Sequence, residues 1–234
     1  MLRSLVGSEM CIRDRWYMKR VVDYILANNA HLVVDADRFY PIGGINPRPP
    51  LFSWSMAIGA MALEPFLNTP EDAVWWSMLA LPAVYGALTV FPIASMAKDH
   101  FGKGAGVLAA WLIAFMPAHV THSTWALADH DAFVMLFISI GFMYWLRAVK
   151  YAGSARLTKV TTPHPLSFVQ AFHDVAEQRQ AALANAALAG VAFGIVALGW
   201  KGFVVGPSIL FLAYALQVAL NMFRRRDSTS LSVM

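Results

Sequence analysis

Charge is the scarcest resource in this chain. Asp, Glu, Lys and Arg make up 14% of its 234 residues, against about 25% in an average soluble domain. So little charge excludes an ordinary soluble globule. The single cysteine, Cys11, excludes a disulfide framework and any cysteine-based zinc site. Internal repeats and low-complexity tracts are absent from the sequence. Met1 to Arg15 contains no apolar core long enough for a signal peptide or a spanning helix. The net charge of +4 points to no nucleic-acid partner, because the basic residues flank apolar segments, where the positive-inside rule accounts for them.

Hydrophobic residues fill the space that charge leaves. They make up 58% of the chain, and the mean hydropathy is +0.52, which reads as an all-α polytopic membrane protein. Apolar segments run at about 51–67, 73–97, 104–119, 132–149, 181–199 and 203–223. Several approach the roughly 20 residues that a spanning helix needs. Lys98 and Lys103 flank one turn. Arg147, Lys150, Arg156, Lys159 and Arg179 surround a polar connection, and Arg224 to Arg226 follow the last segment. The alternate connections carry almost no basic residue. The basic ones are therefore expected on the cytoplasmic side, and residues 120–131 outside. Parity leaves segment 51–67 open, either crossing or lying outside as a non-spanning helix.

The apolar order is broken where charge concentrates, at His122-Ser-Thr-Trp-Ala-Leu-Ala-Asp129-His130-Asp131. Ionisable residues at a membrane edge are costly unless they have a partner or a task. Asp129 and Asp131, spaced i, i+2 before the helix starting near 132, can converge on one hard cation. They can equally serve as N-cap and first-turn acids, and the two roles are compatible. Asp35 and Asp37 repeat the spacing, but with Arg38 adjacent they read as a structural ion pair. From Trp16 onward a short amphipathic helix is expected, with Tyr17, Val21, Tyr24 and Ile25 on one face, ending near Asn28-Asn29. Residues 35–50 are rich in Pro and Gly and read as an ordered loop. His164 and His173 read as solvated loop residues.

Several stretches in order carry a resemblance: Trp16-Tyr-Met-Lys-Arg20, Arg38-Phe-Tyr-Pro-Ile-Gly-Gly44, Ala105 to Ala110 running on to Met116-Pro117, Ala128-Asp-His-Asp131, and the Gly199-Trp-Lys-Gly202 turn. Together they resemble the catalytic subunit of oligosaccharyltransferase, the archaeal single-subunit form above all, over Trp16 to Gly202. The resemblance implies a GT-C type helical bundle, here partial, and transfer of a preassembled glycan. The donor would be a dolichyl phosphate or pyrophosphate, and the acceptor the Asn of Asn-x-Ser/Thr, with inversion and Mn²⁺ or Mg²⁺ as cofactor. The implied partners are the lipid-linked oligosaccharide, the acceptor polypeptide and membrane lipids. The implied place is a multi-pass position in the cell membrane with the site on the external face.

The same resemblance implies site residues. Asp129 and Asp131 match the family's acidic pair in the second external loop, and Asp14, two residues before Trp16-Tyr17, matches the aspartate of the first. All three would be catalytic and metal-binding. His122 stands where many members have an arginine, and Lys201 replaces a glycine; both are candidates for the donor phosphate. The implied organisation is a first external loop at 16–67 with amphipathic and non-spanning helices, then a transmembrane bundle at 68–226 with a cytoplasmic excursion at 151–180. Residues 227–234 would be a truncated tail. Residues 1–15 resemble translated sequencing adapter and are expected to be non-native, although Asp14 lies among them. The chain is therefore expected to be an N-terminal fragment, inactive alone. A polyprenyl-phosphate-monosaccharide-dependent C-type transferase and a transporter with an acidic relay are the competing readings.

Overall fold

The structure is a computed structural model that describes residues 2–39, 41–125, 129–154 and 180–224, and for 2–14 and 152–154 only the helical course of the backbone. Most of the 151–180 excursion with His164 and His173, the Asp14 side chain, Ala128 and the 227–234 tail lie outside the described residues. The architecture is helical, with one small two-stranded ladder. Helices α1 (Leu2–Asn28) and α2 (Pro50–Leu63) flank strands β1 (Val34–Asp35) and β2 (Gly44–Ile45). Helices α3 (Pro70–Phe101), α4 (Lys103–Phe115), α5 (Pro117–His122), α6 (Asp131–Ser154), α7 (Gln180–Gly199) and α8 (Val205–Phe223) follow.

Helix α1 stops where expected. Asn29 takes a left-handed φ of 54° while its N–H still donates to Ile25 O at 2.8 Å, a C-terminal geometry that Asn tolerates. Its buried face differs from the expected one. Met18, Val21, Val22 and Ile25 are sealed, whereas Tyr24 is 38% exposed. The i, i+3, i+4, i+7 stripe is thus rotated toward Met18, because the neighbours that α1 packs on select which stripe is covered.

The Pro/Gly-rich loop holds a short antiparallel pair, Val34 with Ile45 and Asp35 with Gly44. The ion pair is made by Arg20 rather than by the adjacent Arg38: Arg20 Nη2 lies 2.8 Å from buried Asp35 and also pairs with Asp37. Arg38 instead donates to Ile45 O at 2.7 Å, with its guanidinium over the rings of Tyr17 and Phe39.

Helix α2 is 14 residues long, short of the roughly 20 needed to span. It lays Phe52, Met56, Ala57 and Ala60 against α1 and α3. Helix α3 is opened by a capping arrangement in which Thr69 Oγ1 accepts the Asp72 N–H at 3.1 Å, with Pro70 in the first turn.

Segment 104–119, expected as one helix, is two. Met116 is extended at ψ 117°, ending α4, and Pro117 opens α5. A residue before proline is pushed out of the helical region, and proline brings no N–H to continue the ladder. At 13 residues, α4 extends only about 20 Å, less than the roughly 30 Å hydrocarbon core. Among the described residues, four helices are long and apolar enough to cross a membrane: α3, α6 over Asp131–Tyr151, α7 and α8.

Phe133 ties the bundle together below the acidic loop. Its ring makes edge contacts with Phe52 of α2 (5.8 Å between centroids) and Tyr85 of α3 (5.5 Å), and it fills the space beside Gly199 at the end of α7. Gly141 likewise admits Phe193 between α6 and α7. Close backbone approach of this kind is how membrane helices associate, since hydrocarbon surroundings give no hydrophobic drive.

Candidate metal centre

The start of α6 is fixed by two anchors. Phe133 sits two residues beyond Asp131 in the core, and Val134 N–H donates to His130 O at 2.9 Å as the first helical bond. From the other side, α5 is held against α3. Buried His119 Nε2 meets Gly86 O at 3.1 Å, and Ser123 Oγ donates to His119 O at 2.7 Å. A Cβ on Gly86 would stand 2.3 Å from Ser123 Cβ, so this approach requires glycine. Trp125 packs edge-on against Trp76 of α3 at 5.5 Å.

Between these anchors stand Asp129, His130 and Asp131, each half-buried, each offering one ligand atom within 4.8 Å of the others. His130 Nδ1 lies 2.7 Å from Asp129 Oδ1, and the His130 backbone N–H donates to the same oxygen at 2.7 Å. That contact turns the ring so that Nε2 faces Asp131 Oδ1 at 3.8 Å. This separation is too long for a hydrogen bond. The other Asp131 oxygen, Oδ2, accepts from His122 Nδ1 at 2.7 Å. Bonding from His130 holds the Asp129 carboxyl below its ordinary range; burial opposes this, while the charges of His130 and Arg48 assist. Asp129 therefore stays ionised in neutral solution.

Two carboxylates and one imidazole suit a hard or borderline divalent cation. Asp129 and Asp131 are brought together as the sequence suggested. His122 hydrogen-bonds one of the acids, and Lys201 borders an adjoining cavity of about 270 Å³ with Met18, Arg48, Phe52, His130 and Trp200. Asp14 lies in α1 one turn before Met18; its side chain lies outside the described residues. The sequence reading missed His130 as a donor and Arg48 altogether, and gave Trp200 no role beyond its place in the family-like turn. The signals were a histidine between two aspartates, an arginine stiffened by Pro47 and Pro49, and the tryptophan of the α7–α8 turn, whose ring centre lies 6.4 Å from that of His130.

These membrane-length helices, with an acid and imidazole cluster at one end, define a polytopic helical membrane protein. An Archaeoglobus fulgidus oligosaccharyltransferase AglB, solved with an inhibitory peptide and a dolichol-phosphate, superposes over 86% of this chain and 21% of its own, with a TM-score of 0.67 and 22% identity. The same organism's enzyme solved with zinc and sulfate gives a TM-score of 0.66 at 22% identity over 86% of this chain and 22% of its own. The profile of the oligosaccharyl transferase STT3 N-terminal family matches residues 8–231, and the chain belongs to that family.

Among curated relatives, dolichyl-phosphooligosaccharide-protein glycotransferase 3 of Archaeoglobus fulgidus is 26% identical over 92% of this chain and 23% of its own length. The STT3 subunit of the Saccharomyces cerevisiae dolichyl-diphosphooligosaccharide–protein glycosyltransferase is 27% identical over 58% of this chain and 20% of its own. AglB of Haloferax volcanii, a dolichyl-monophosphooligosaccharide–protein glycotransferase, is 27% identical over 92% and 20%. The chain thus spans about a fifth of the length of the curated relatives it matches.

Proposed function

We propose that this chain supplies the metal-holding part of an oligosaccharyltransferase that moves a preassembled glycan from a dolichyl phosphate or pyrophosphate to the amide nitrogen of Asn in Asn-x-Ser/Thr. The carrying observation is the cluster at the α5–α6 junction, Asp129 and Asp131 with His130 turned between them. Asp129, His130 and Asp131 would hold Mn²⁺ or Mg²⁺, with Asp14 completing the set from α1. When bound, the cation supplies charge to stabilise the departing phosphate.

The rest of the chemistry falls to the chain's own groups. An amide nitrogen is a poor nucleophile because its lone pair is delocalised. A carboxylate accepting the amide N–H draws density onto nitrogen, and this interaction strengthens as the bond to the sugar forms. Attack opposite the leaving group inverts the anomeric centre. His130 holds the Asp129 carboxylate in place through two hydrogen bonds to one oxygen, and His122 holds Asp131. Lys201 and Arg48, at the adjoining cavity, are placed to meet the anionic end of the donor. The site would face the exterior, where the connections carry few basic residues.

Asn substitution tests the reading, because its carbonyl still accepts a helix-capping bond but brings no negative charge for a hard cation. In a full-length protein carrying this sequence, Asp129→Asn and Asp131→Asn should insert and express like the parent. Each should lose at least about a hundredfold in transfer rate, equivalent to ~2.7 kcal/mol, and added Mn²⁺ should partly rescue the weaker variant. Near-parental rates with unchanged metal dependence in both variants would show that the acids only close the helix.

A further inference from the structure

A second candidate site lies at the other end of the helices from the acid cluster, in a groove of about 410 Å³ between α3 and α4. Its walls are regular. Phe91, Ala94 and Lys98 line it from α3, and Lys103, Val107 and Ala110 from α4, each set spaced i, i+3 or i+4, i+7, so each forms one stripe of its helix. Gly106 lets the helices close behind the groove, since a Cβ there would stand 2.8 Å from Lys98 Cβ and 3.0 Å from Ala94 O. The walls are apolar and open: Phe91 is 68% exposed and Val107 60%.

The two lysines stand together at one end of this apolar trough. Neither has an ion pair or hydrogen bond among the described residues. The neighbouring acid, Asp99, is already taken: its Oδ2 accepts from Arg147 Nε at 2.6 Å, and its backbone carbonyl accepts from Lys150 Nζ at 2.6 Å. Among the described residues at this end of the bundle, Lys98, Lys103, Arg147 and Lys150 stand against the one acid Asp99, a local excess of positive charge. A hydrocarbon-lined groove capped by two ammonium groups that have no ion pair among the described residues matches an amphiphile with an anionic head. A soluble anion would leave the trough uncovered, and a zwitterionic lipid would bring its own cation to the lysines. Basic pockets between membrane helices bind anionic headgroups on this principle.

We propose that the α3–α4 groove binds one anionic phospholipid, its acyl chain along Phe91, Val107 and Ala110 and its phosphate between Lys98 and Lys103. The site stands apart from Asp129 to Asp131 and does not depend on the glycosyltransferase reading.

The test is native mass spectrometry of the purified chain in mixed micelles titrated with phosphatidylglycerol or with phosphatidylcholine. The parent should retain one phosphatidylglycerol with about tenfold or more preference over phosphatidylcholine. Lys98→Gln with Lys103→Gln should abolish the preference at unchanged helicity. Ala110→Phe, which fills the trough, should lower retention of phosphatidylglycerol with both lysines intact. Soluble glycerol phosphate should fail to compete. Equal retention of the two lipids by the parent, an undiminished preference in the double variant, or full competition by glycerol phosphate would each overturn the proposal, the last by showing a free-anion site.

Discussion

His122 Nδ1 and Asp131 Oδ2 lie 2.7 Å apart, joining the last residue of α5 to the first of α6 across the loop that carries Asp129 and His130. A candidate metal ligand is thereby oriented by an imidazole outside the ligand set. Partners of this kind set the direction of a ligand's lone pairs, and their loss costs about 10–100-fold in metal affinity.

His122→Phe should therefore weaken Mn²⁺ binding by about 10–100-fold, followed as free Mn²⁺ by electron paramagnetic resonance, while the fold is retained. His122→Gln, which keeps an N–H donor, should recover part of the loss. Parental Mn²⁺ affinity in the Phe variant would remove His122 from the site's support.

The seating of α5 predicts a compensating pair. Gly86→Ala places a methyl 2.3 Å from Ser123 Cβ, and overpacking of this kind costs about 1–3 kcal/mol. The measurement is thermal unfolding in detergent. Adding Ser123→Gly should return much of the stability, though not all, because the bond from Ser123 Oγ to His119 O at 2.7 Å is lost with the side chain. Additive destabilisation in the double variant would mean that the two residues do not press on one another.

Lys19 gives the chain an alkaline limit. Burial works against its charge, but the hydrogen bonds and charges of Asp23 (2.8 Å) and Glu71 (3.3 Å) outweigh it and raise its pKa above the ordinary lysine value. The folded state thus holds this proton more tightly than the unfolded chain does. The stabilisation is complete below the ordinary value of 10.5 and disappears as pH rises through the folded value. The difference in melting temperature between the parent and Lys19→Met should be constant from pH 7 to about pH 10 and shrink above that. A gap that widens with alkalinity would contradict this account.

Sidedness is open to labelling. In a Cys11→Ser background, Thr124→Cys should react with a membrane-impermeant thiol reagent applied outside intact cells. Gly104→Cys, at an exposed position where a Cβ meets nothing within 4 Å, should react only after permeabilisation. The opposite pattern would place the acid cluster on the cytoplasmic side.

Much of this molecule follows from composition. Scarce charge and long apolar runs already imply membrane helices, since a bilayer leaves the backbone few ways to satisfy its hydrogen bonds. The i, i+2 aspartates at a helix start marked the candidate site, because carboxylates at a membrane edge demand a reason. Hydropathy averages over side chains and does not register a backbone break, so the division at Met116-Pro117 needed the observation that the residue before a proline was in fact driven out of the helix. Which stripe of α1 is buried, the choice of Arg20 over Arg38 as the partner of Asp35, the orientation of His130 with Nε2 toward Asp131, and the reach of His122 across the loop all depend on distances that only the folded chain sets. The sequence by itself determined the helical class, the apolar segments and the acids between them. The tertiary structure decided which imidazoles and cations stand within a few ångströms of those acids, because hydrogen bonding and charge interaction act over such distances, and packing alone fixes them.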